Sequence, residues 1–159
     1  MKLRRLVVFT VLVLGVLALD QGSKAWARGL GDGRHAVIDG YWDWEHAENP
    51  GAAFSTLVGG TAARVGLSIV AAAAIGALVY AAWRSRPEQR VQRAAYALIL
   101  GGAAGNLVDR VRVGTVTDFV RWRIHDHLWP IFNVADAALL VGVALLFVAS
   151  ARQRRMIST

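Results

Sequence analysis

The side chains best suited to chemistry in this chain are acids and amides that stand beside or inside long apolar stretches. They occur at helical spacings, as Asp20 with Lys24, Asn106 with Asp109 and Arg110, and Asn133 with Asp136. Residues three or four apart share one face of a helix, so each group would point its polar atoms in one direction. A charge at the centre of a membrane costs about 2.5–3.5 kcal/mol on insertion scales, and such groups commonly mark functional sites.

Paired carboxylates are the chemistry that these residues offer. Two carboxyl groups held close together cannot both ionise cheaply, so one keeps a proton while the other acts as a base. Such a pair can activate a water and protonate a leaving amine, and its two protonation steps belong to the pair. The sequence has no cysteine and shows no serine–histidine–acid grouping. Buried carboxylates also serve in ion or proton transport, so these residues alone leave hydrolysis and transport open.

The composition indicates one membrane domain, residues 1–159. The chain is 55% hydrophobic, which is high for a soluble protein. Its formal net charge is +7, but the basic residues lie in short clusters between apolar runs and form no continuous basic face. They are therefore typical of membrane topology signals and not of a nucleic-acid-binding surface.

Four apolar runs predict an all-α membrane protein. The stretch from Val65 to Trp83 carries no charge and is close to the ~20 residues that a spanning helix needs. The other three runs span a membrane only if their polar interruptions are included. We expect helices at about 5–26, 63–83, 93–112 and 131–151, with outer loops 27–62 and 113–130 and a cytoplasmic loop 84–92. Gly101 and Gly105 have the spacing that lets helices approach closely.

Basic clusters predict the orientation of these helices. They are Lys2, Arg4 and Arg5; Arg84, Arg86, Arg90 and Arg93; and Arg152, Arg154 and Arg155. The positive-inside rule places all three clusters, and both termini, in the cytoplasm. A cleaved signal peptide ending near Ala27 is the alternative, but a cleaved chain would not place the three clusters on one side. The first outer loop contains Tyr41, Trp42 and Trp44, and we expect it to form a small β-rich region on the periplasmic surface.

The acids at the ends of three runs should meet at one depth. Each run begins at the cytoplasmic edge, and Asp20, Asp109 and Asp136 lie roughly 21–22 Å along it at the helical rise. That level is in the outer third of the roughly 30 Å hydrocarbon core. Gly114 should end the third helix, and the β-rich residues after it could carry Asp118 back towards Asp136.

Two further features have weaker chemical signals. Asn49-Pro50-Gly51 is a turn signal, which is either structural or part of a loop that faces a substrate. His125-Asp126-His127 lacks the spacing of a zinc helix motif, so we expect a solvated loop and no metal there.

Five motifs together resemble the lipoprotein signal peptidases, also called signal peptidase II. They are DQGSK from Asp20, ENPGAAFS from Glu48, GGAAGNLVDR from Gly101, GTVTDF from Gly114 and FNVADAA from Phe132. The resemblance implies a bacterial inner-membrane aspartic endopeptidase that faces the periplasm and needs no cofactor. It implies cleavage of prolipoprotein signal peptides before a diacylglyceryl-modified cysteine, and inhibition by globomycin. Its expected partners are the lipid-modified prolipoprotein, membrane lipids and a globomycin-type inhibitor, with the enzyme a monomer.

The resemblance also implies roles for individual residues. Asp118 and Asp136 would be catalytic, and the site would be supported by Asn106, Asp109, Arg110 and Asn133. Asn49 and Gly51 would belong to the substrate-side loop, and Asp20 with Lys24 would be a structural polar pair. Depth alone would pair Asp109 with Asp136, whereas the resemblance favours Asp118. The alternatives are a small four-span transporter or proton-conducting protein that uses the same carboxylates, and a scaffold in which they only join helices.

Overall fold

A computed structural model describes residues 3–51, 61–86, 89–124 and 127–157. It contains four helices: α1 (Leu3–Arg28), α2 (Thr61–Arg84), α3 (Arg90–Arg112) and α4 (Val134–Ile157). It also contains four strands: β1 (Arg34–Ile38), β2 (Trp42–Asn49), β3 (Val116–Ile124) and β4 (His127–Leu128). The chain is therefore mostly helical, with β1 and β2 between α1 and α2, and β3 and β4 between α3 and α4.

Three of the four helices are long and apolar enough to cross a membrane among the residues described. These segments are Leu3–Arg28, Arg64–Arg84 and Val134–Gln153. Their outer faces carry exposed large apolar side chains, such as Val11, Ile69 and Phe147, as expected where lipid is the solvent. α3 carries more polar residues than the others, and it contacts α1, α2 and α4. Its arginines and buried polar residues distinguish it from the three apolar helices.

Glycines bring α3 into close contact with α1 and α4. A Cβ atom added to Gly101 would lie 2.7 Å from the Cβ of Val16 in α1. One added to Gly102 would lie 2.5 Å from the carbonyl oxygen of Ala135 in α4. Since neither contact leaves room for a methyl group, glycine sets the distance between these helices.

The order of these contacts fixes the helix directions. Residues Val16 and Asp20 of α1 approach Gly101 and Gly105 of α3 in the same sequence order, so α1 and α3 run parallel. α4 runs against them, because the position facing Gly102 is near its start and Gly142, further along, faces Ile99. The starts of α1 and α3 therefore lie at one end of the bundle.

The β-rich region predicted in the first outer loop is present, but the prediction covered only part of the observed sheet. Three strands, β1, β2 and β3, form an antiparallel ladder that β4 extends, in the order β1-β2-β3-β4. β3 and β4 come from the second outer loop, which the prediction left out of the sheet. Their membership was not evident from alternation, because the first five residues of β3 are all buried and a fully buried strand loses the two-residue polar pattern.

Aromatic rings attach this sheet to the end of α1. The ring of Trp26 lies 5.2 Å from that of Trp44 in β2 and 6.1 Å from that of Phe119 in β3. Ala27, Phe119 and Val120 form the buried core of this junction. Edge-to-face pairs of this kind each contribute about 0.5–1.5 kcal/mol beyond area burial, so β3 is held firmly against the helical bundle.

Candidate active site

Asp118 is buried on β3 with both carboxylate oxygens occupied. Its Oδ1 accepts a hydrogen bond from Asn133 Nδ2 at 2.6 Å, and its Oδ2 accepts one from Asn49 Nδ2 at 3.0 Å. Burial, which is the largest effect, raises the pKa of Asp118 to about 6, and the negative charge of Asp136 also raises it. The hydrogen bonds from Asn49 and Asn133 lower the pKa but do not offset burial. This carboxyl group is therefore half-protonated at about pH 6, well above the pH at which a free aspartate loses its proton.

Asp136 lies in the first turn of α4 and forms a capping box with Asn133. The Oδ1 of Asn133 accepts the backbone N–H of Asp136 at 2.9 Å, and Asp136 Oδ2 accepts the backbone N–H of Asn133 at 3.3 Å. This reciprocal arrangement satisfies helix N-terminal donors. The predicted helix began at 131, three residues too early, because Asn133 is the cap and not an interior residue.

Asn133 joins the two aspartates. Besides capping Asp136, its Nδ2 contacts Asp118, and it lies 3.3 Å from Asn106 Oδ1. Asn106 in turn donates to Asp136 Oδ1 at 2.9 Å. The two carboxylates are thus held in one network by the side chains of Asn106 and Asn133.

Backbone pairing explains why Asp118 meets the start of α4. Phe132, the residue before Asn133, forms an isolated bridge with Val120 of β3. The N–H of Val120 donates to the Phe132 carbonyl at 2.8 Å, and the Phe132 N–H donates back at 3.1 Å. The predicted extended segment after Gly114 therefore returns Asp118 to the helix that carries Asp136.

A buried ion network lies next to this pair. Lys24 Nζ contacts Asp20 Oδ2 at 2.9 Å and Asp109 Oδ2 at 3.1 Å, and all three side chains are almost completely buried. The same ammonium donates to Asn106 Oδ1 at 2.9 Å. Its three donors therefore have three partners, and the predicted Asp20–Lys24 pair is present within a larger network.

The structural acids of this network hold the backbone beside each member of the aspartate pair. Asp109 Oδ2 accepts the N–H of Thr117 at 3.1 Å, one residue before Asp118. Asp20 Oδ1 accepts the N–H of Ala135 at 2.9 Å, one residue before Asp136. Asp20, Asp109 and Asp136 do meet in one region, as their depth predicted, but Asp109 is engaged by Lys24 and Arg28. It is therefore occupied as a structural acid.

Arg110 lies beside the pair and not within its hydrogen bonds. Its guanidinium donates to the carbonyl of Asn106 at 3.4 Å and is close enough to interact electrostatically with Asp136 and Asp118. It adds positive charge to a region with several carboxylates.

Asn49 and Gly51 form the turn that covers Asp118. The N–H of Gly51 donates to Asn49 Oδ1 at 2.9 Å, which orients the amide so that Nδ2 faces Asp118. Gly51 has a φ of 86°, a conformation that favours glycine, and its added Cβ would lie 2.8 Å from Leu67 Cδ1. The turn therefore contacts the site through Asn49, while Ala52–Ser55 of the motif lie outside the described residues.

Three residues that contribute to the site were not predicted from the sequence. Arg28 Nη2 contacts Asp109 Oδ1 at 3.0 Å, and Gln21 Nε2 donates to Asp109 and to the Gly105 carbonyl. Arg64 donates to the carbonyls of Arg110 and Val111, each at 2.7 Å, and so completes the end of α3. The i, i+4, i+8 spacing of Asp20, Lys24 and Arg28 was a usable signal, but the predicted helix ended at 26.

The described residues show no group of three or more His, Asp or Glu side chains placed to hold a metal. His125 and Asp126 lie outside those residues. The arrangement offers a pair of carboxyl groups in different environments, and the pKa of one of them, Asp118, is raised. A water between them could be deprotonated by one and a carbonyl polarised by the other.

Comparisons with known proteins agree with this geometry. Residues 12–152 match the family model described as signal peptidase (SPase) II. The lipoprotein signal peptidase of Xanthomonas campestris (strain 8004) is 41% identical over 155 residues, covering 88% of this chain and 87% of the relative. That of Xylella fastidiosa (strain 9a5c) is 40% identical over 139 residues, covering 85% and 83%.

Solved structures show the same fold. Two chains described as a bacterial membrane enzyme, determined by the in meso method, each have a TM-score of 0.81 and 29% sequence identity to this chain. The first covers 92% of this chain and 89% of its own length, and the second 89% and 91%. With nearly the whole chain matched by both sequence and structure, this protein belongs to the signal peptidase II family, the lipoprotein signal peptidases.

Proposed function

We propose that this membrane protease is an aspartic endopeptidase in which Asp118 and Asp136 are the catalytic pair. As a lipoprotein signal peptidase it removes signal peptides from prolipoproteins, and it cuts before the lipid-modified cysteine. The observation that carries the aspartic mechanism is the position of Asn133, whose side chain bonds to Asp118 and caps Asp136. Proton transporters also use carboxyl groups that hold a proton, so the match to the signal peptidase II family is what favours proteolysis over transport.

The two aspartates have different tasks. Asp118 carries the shared proton, because burial and the neighbouring charge raise its pKa. Asp136, in a helix first turn where a negative charge is favoured, removes a proton from water as its oxygen attacks the scissile carbonyl carbon. Asp118 donates its proton to the carbonyl oxygen. As the C–N bond breaks, Asp136 passes its proton to the leaving amine of cysteine, and Asp118 recovers a proton from the collapsing diol.

The neighbouring residues hold the two carboxyl groups in a fixed orientation. Asn106 and Asn133 fix the carboxylate orientations, and Arg110 offsets the negative charge that develops during attack. Preorganised polar groups of this kind usually make the largest contribution to lowering a barrier, because they need no rearrangement during reaction.

The enzyme would span the bacterial inner membrane four times. α3 is the additional span, and its contacts with α1, α2 and α4 shield its polar residues from lipid. The basic clusters favour an orientation with both termini in the cytoplasm, in which the aspartate pair and the β-sheet would face the periplasm. The substrate's signal helix would enter between spans with its lipid chains in the bilayer, and the turn from Asn49 to Gly51 would cover the scissile bond. The enzyme would act as a monomer, and globomycin would block it.

A cleavage assay on a lipid-modified prolipoprotein peptide tests this function. We expect turnover that globomycin abolishes, and a loss of at least 1000-fold in Asp118→Asn and Asp136→Asn with protein still present in the membrane. Asp39→Asn, at a fully exposed carboxylate, is the control and should cleave normally. Near-normal cleavage by Asp118→Asn, with activity lost in Asp109→Asn, would show that the assigned pair is wrong; no cleavage at all by the parent protein would favour transport.

A further inference from the structure

A cavity of about 390 Å³ lies between the starts of α1 and α3, at the end of the bundle away from the aspartates. Four arginines line it: Arg4, Arg5, Arg90 and Arg93. The lining residues that the structure describes include no carboxylate. We propose that this cavity binds the headgroup of an anionic phospholipid of the adjacent leaflet, such as phosphatidylglycerol.

Charge complementarity is the first argument. The four arginines come from two helices and line one space, whereas topology signals need only lie on the same side of the membrane. Arg93 is mostly buried. Its Nη1 donates to the carbonyl of Arg86 at 2.5 Å, which fixes the position of this arginine at the cavity. Guanidinium groups bind phosphate through paired N–H donors, and basic pockets between membrane helices favour anionic lipid headgroups.

The helix ends add to this potential. α1 and α3 run parallel, so both N-termini, with their partial positive charge, lie at the cavity. Neither helix has an acidic residue in its first turn. Gln89, at the start of α3, makes no capping hydrogen bond with its side chain. An anion placed here would therefore interact with the arginines and with both helix dipoles.

The other wall is apolar and selects a lipid over a free anion. Val8, Phe9 and Leu12 of α1 extend from the arginines towards the middle of the bundle, and Val8 and Leu12 are partly exposed. Free phosphate has no apolar part that could contact these three side chains. A phospholipid places its phosphate on the arginines and an acyl chain along these three side chains. That the leaflet is the cytoplasmic one rests on the orientation proposed above.

Native mass spectrometry of the full chain in detergent tests the site, with dioctanoyl phosphatidylglycerol and dioctanoyl phosphatidylcholine as probes. We expect one bound phosphatidylglycerol at concentrations where phosphatidylcholine is not retained. Arg4→Gln with Arg90→Gln should weaken its binding roughly 30-fold, at about tenfold per 1.4 kcal/mol and about 1 kcal/mol per basic residue. The charge-matched control, Arg84→Gln with Arg152→Gln, removes two arginines that do not line the cavity and should change binding less than threefold.

A second variant separates lipid recognition from general charge. Val8→Trp fills the apolar part of the cavity without altering any charge, and it should also weaken phosphatidylglycerol binding at least tenfold. Three results would each overturn the proposal. They are equal loss of phosphatidylglycerol binding in the control and cavity variants, equal retention of the two lipids, and binding of inorganic phosphate as tight as that of phosphatidylglycerol. The readout does not involve peptide cleavage, so this outcome is independent of the proposed protease mechanism.

Discussion

The carboxylate of Asp109 accepts the backbone N–H of Thr117 at 3.1 Å, one residue before Asp118. Asp20 does the same for Ala135, one residue before Asp136. Each aspartate of the proposed pair is thus held through its neighbour's backbone by another aspartate, and both holding residues contact Lys24. Two of these four carboxylates, Asp20 and Asp109, have cationic partners. This difference separates them from the proposed catalytic pair.

Asp109→Asn should destabilise the protein as well as inactivate it. The substitution leaves Lys24 and Arg28 short of a counter-charge, and breaking a buried pair costs about 3–5 kcal/mol. Thermal unfolding in detergent should show a clearly lower midpoint, and cleavage should fall with it. Asp118→Asn is the comparison: it should lose activity at an unchanged or higher midpoint, because among the described residues no cation forms a salt bridge with Asp118 as Lys24 and Arg28 do with Asp109. Equal midpoints for the two variants would contradict the division of roles.

Asn133→Ala should cost far more activity than stability. Loss of an N-cap side chain typically costs about 1 kcal/mol, whereas the same substitution frees both carboxylates from their common partner. We expect a drop of 100-fold or more in kcat with a small shift in unfolding midpoint. Asn133→Asp tests the same site differently, since it restores the cap but adds a third negative charge. Activity close to normal in Asn133→Ala would show that the clamp is dispensable.

The pH dependence of cleavage should report the proton on Asp118. Its pKa is raised to about 6, so the protonated fraction falls as pH rises through that value. Because the proposed mechanism uses the protonated form, kcat/KM should decline on the alkaline side of about pH 6. A rise in kcat/KM through the same range would instead make Asp118 the base.

Asn49→Ala should move this alkaline limb to higher pH. The Asn49 amide donates to Asp118 Oδ2 at 3.0 Å and favours the ionised carboxylate, so its removal lets the carboxyl group keep its proton longer. The position of the limb, and not the size of kcat, is the measurement. His46→Ala alters a nearby strand side chain that bonds to Glu48 and should leave the limb in place; a shift to lower pH in Asn49→Ala would reverse the assigned effect.

Gly102→Ala should impair cleavage through helix packing alone. The added methyl group would meet the carbonyl oxygen of Ala135 at 2.5 Å, so the first turn of α4, which carries Asp136, must move. We expect kcat to fall at least tenfold, with a lower unfolding midpoint. Gly76→Ala, where an added Cβ meets nothing within 4 Å, should be neutral or slightly stabilising; equal effects at the two glycines would remove the packing explanation.

The helices and the acid clusters were predictable because each leaves a local pattern. Apolar runs predicted four helices whose bounds lie within three residues of the observed ones, except that α4 continues six residues beyond its predicted end. A spacing of three residues grouped Asn106 with Asp109 and Asn133 with Asp136. The exact start of α4 was not predictable from hydrophobicity, because Ile131 and Phe132 continue the apolar run while their backbone pairs with β3. Only the cap geometry marks the true boundary.

The long-range contacts left no such pattern. Nothing near Arg64 in sequence indicates that its guanidinium will bond to carbonyls at the end of α3. The choice of Asp118 over Asp109 depends on which acid receives cations from α1, and that is a matter of helix packing. Residue types and depth predicted that Asp20, Asp109 and Asp136 would lie in one region, and they do. The pairing of Asp118 with Asp136 comes from the resemblance to a family and stays a prediction.

Asn133 has a consequence beyond the geometry of two carboxyl groups. The same amide caps the first turn of α4 and bonds to Asp118, so fraying of that helical turn would also separate the two proposed catalytic acids. A partly unwound copy would lack a working pair and would not attack neighbouring membrane proteins. Proteolysis by this chain is in that sense conditional on a correctly wound fourth helix.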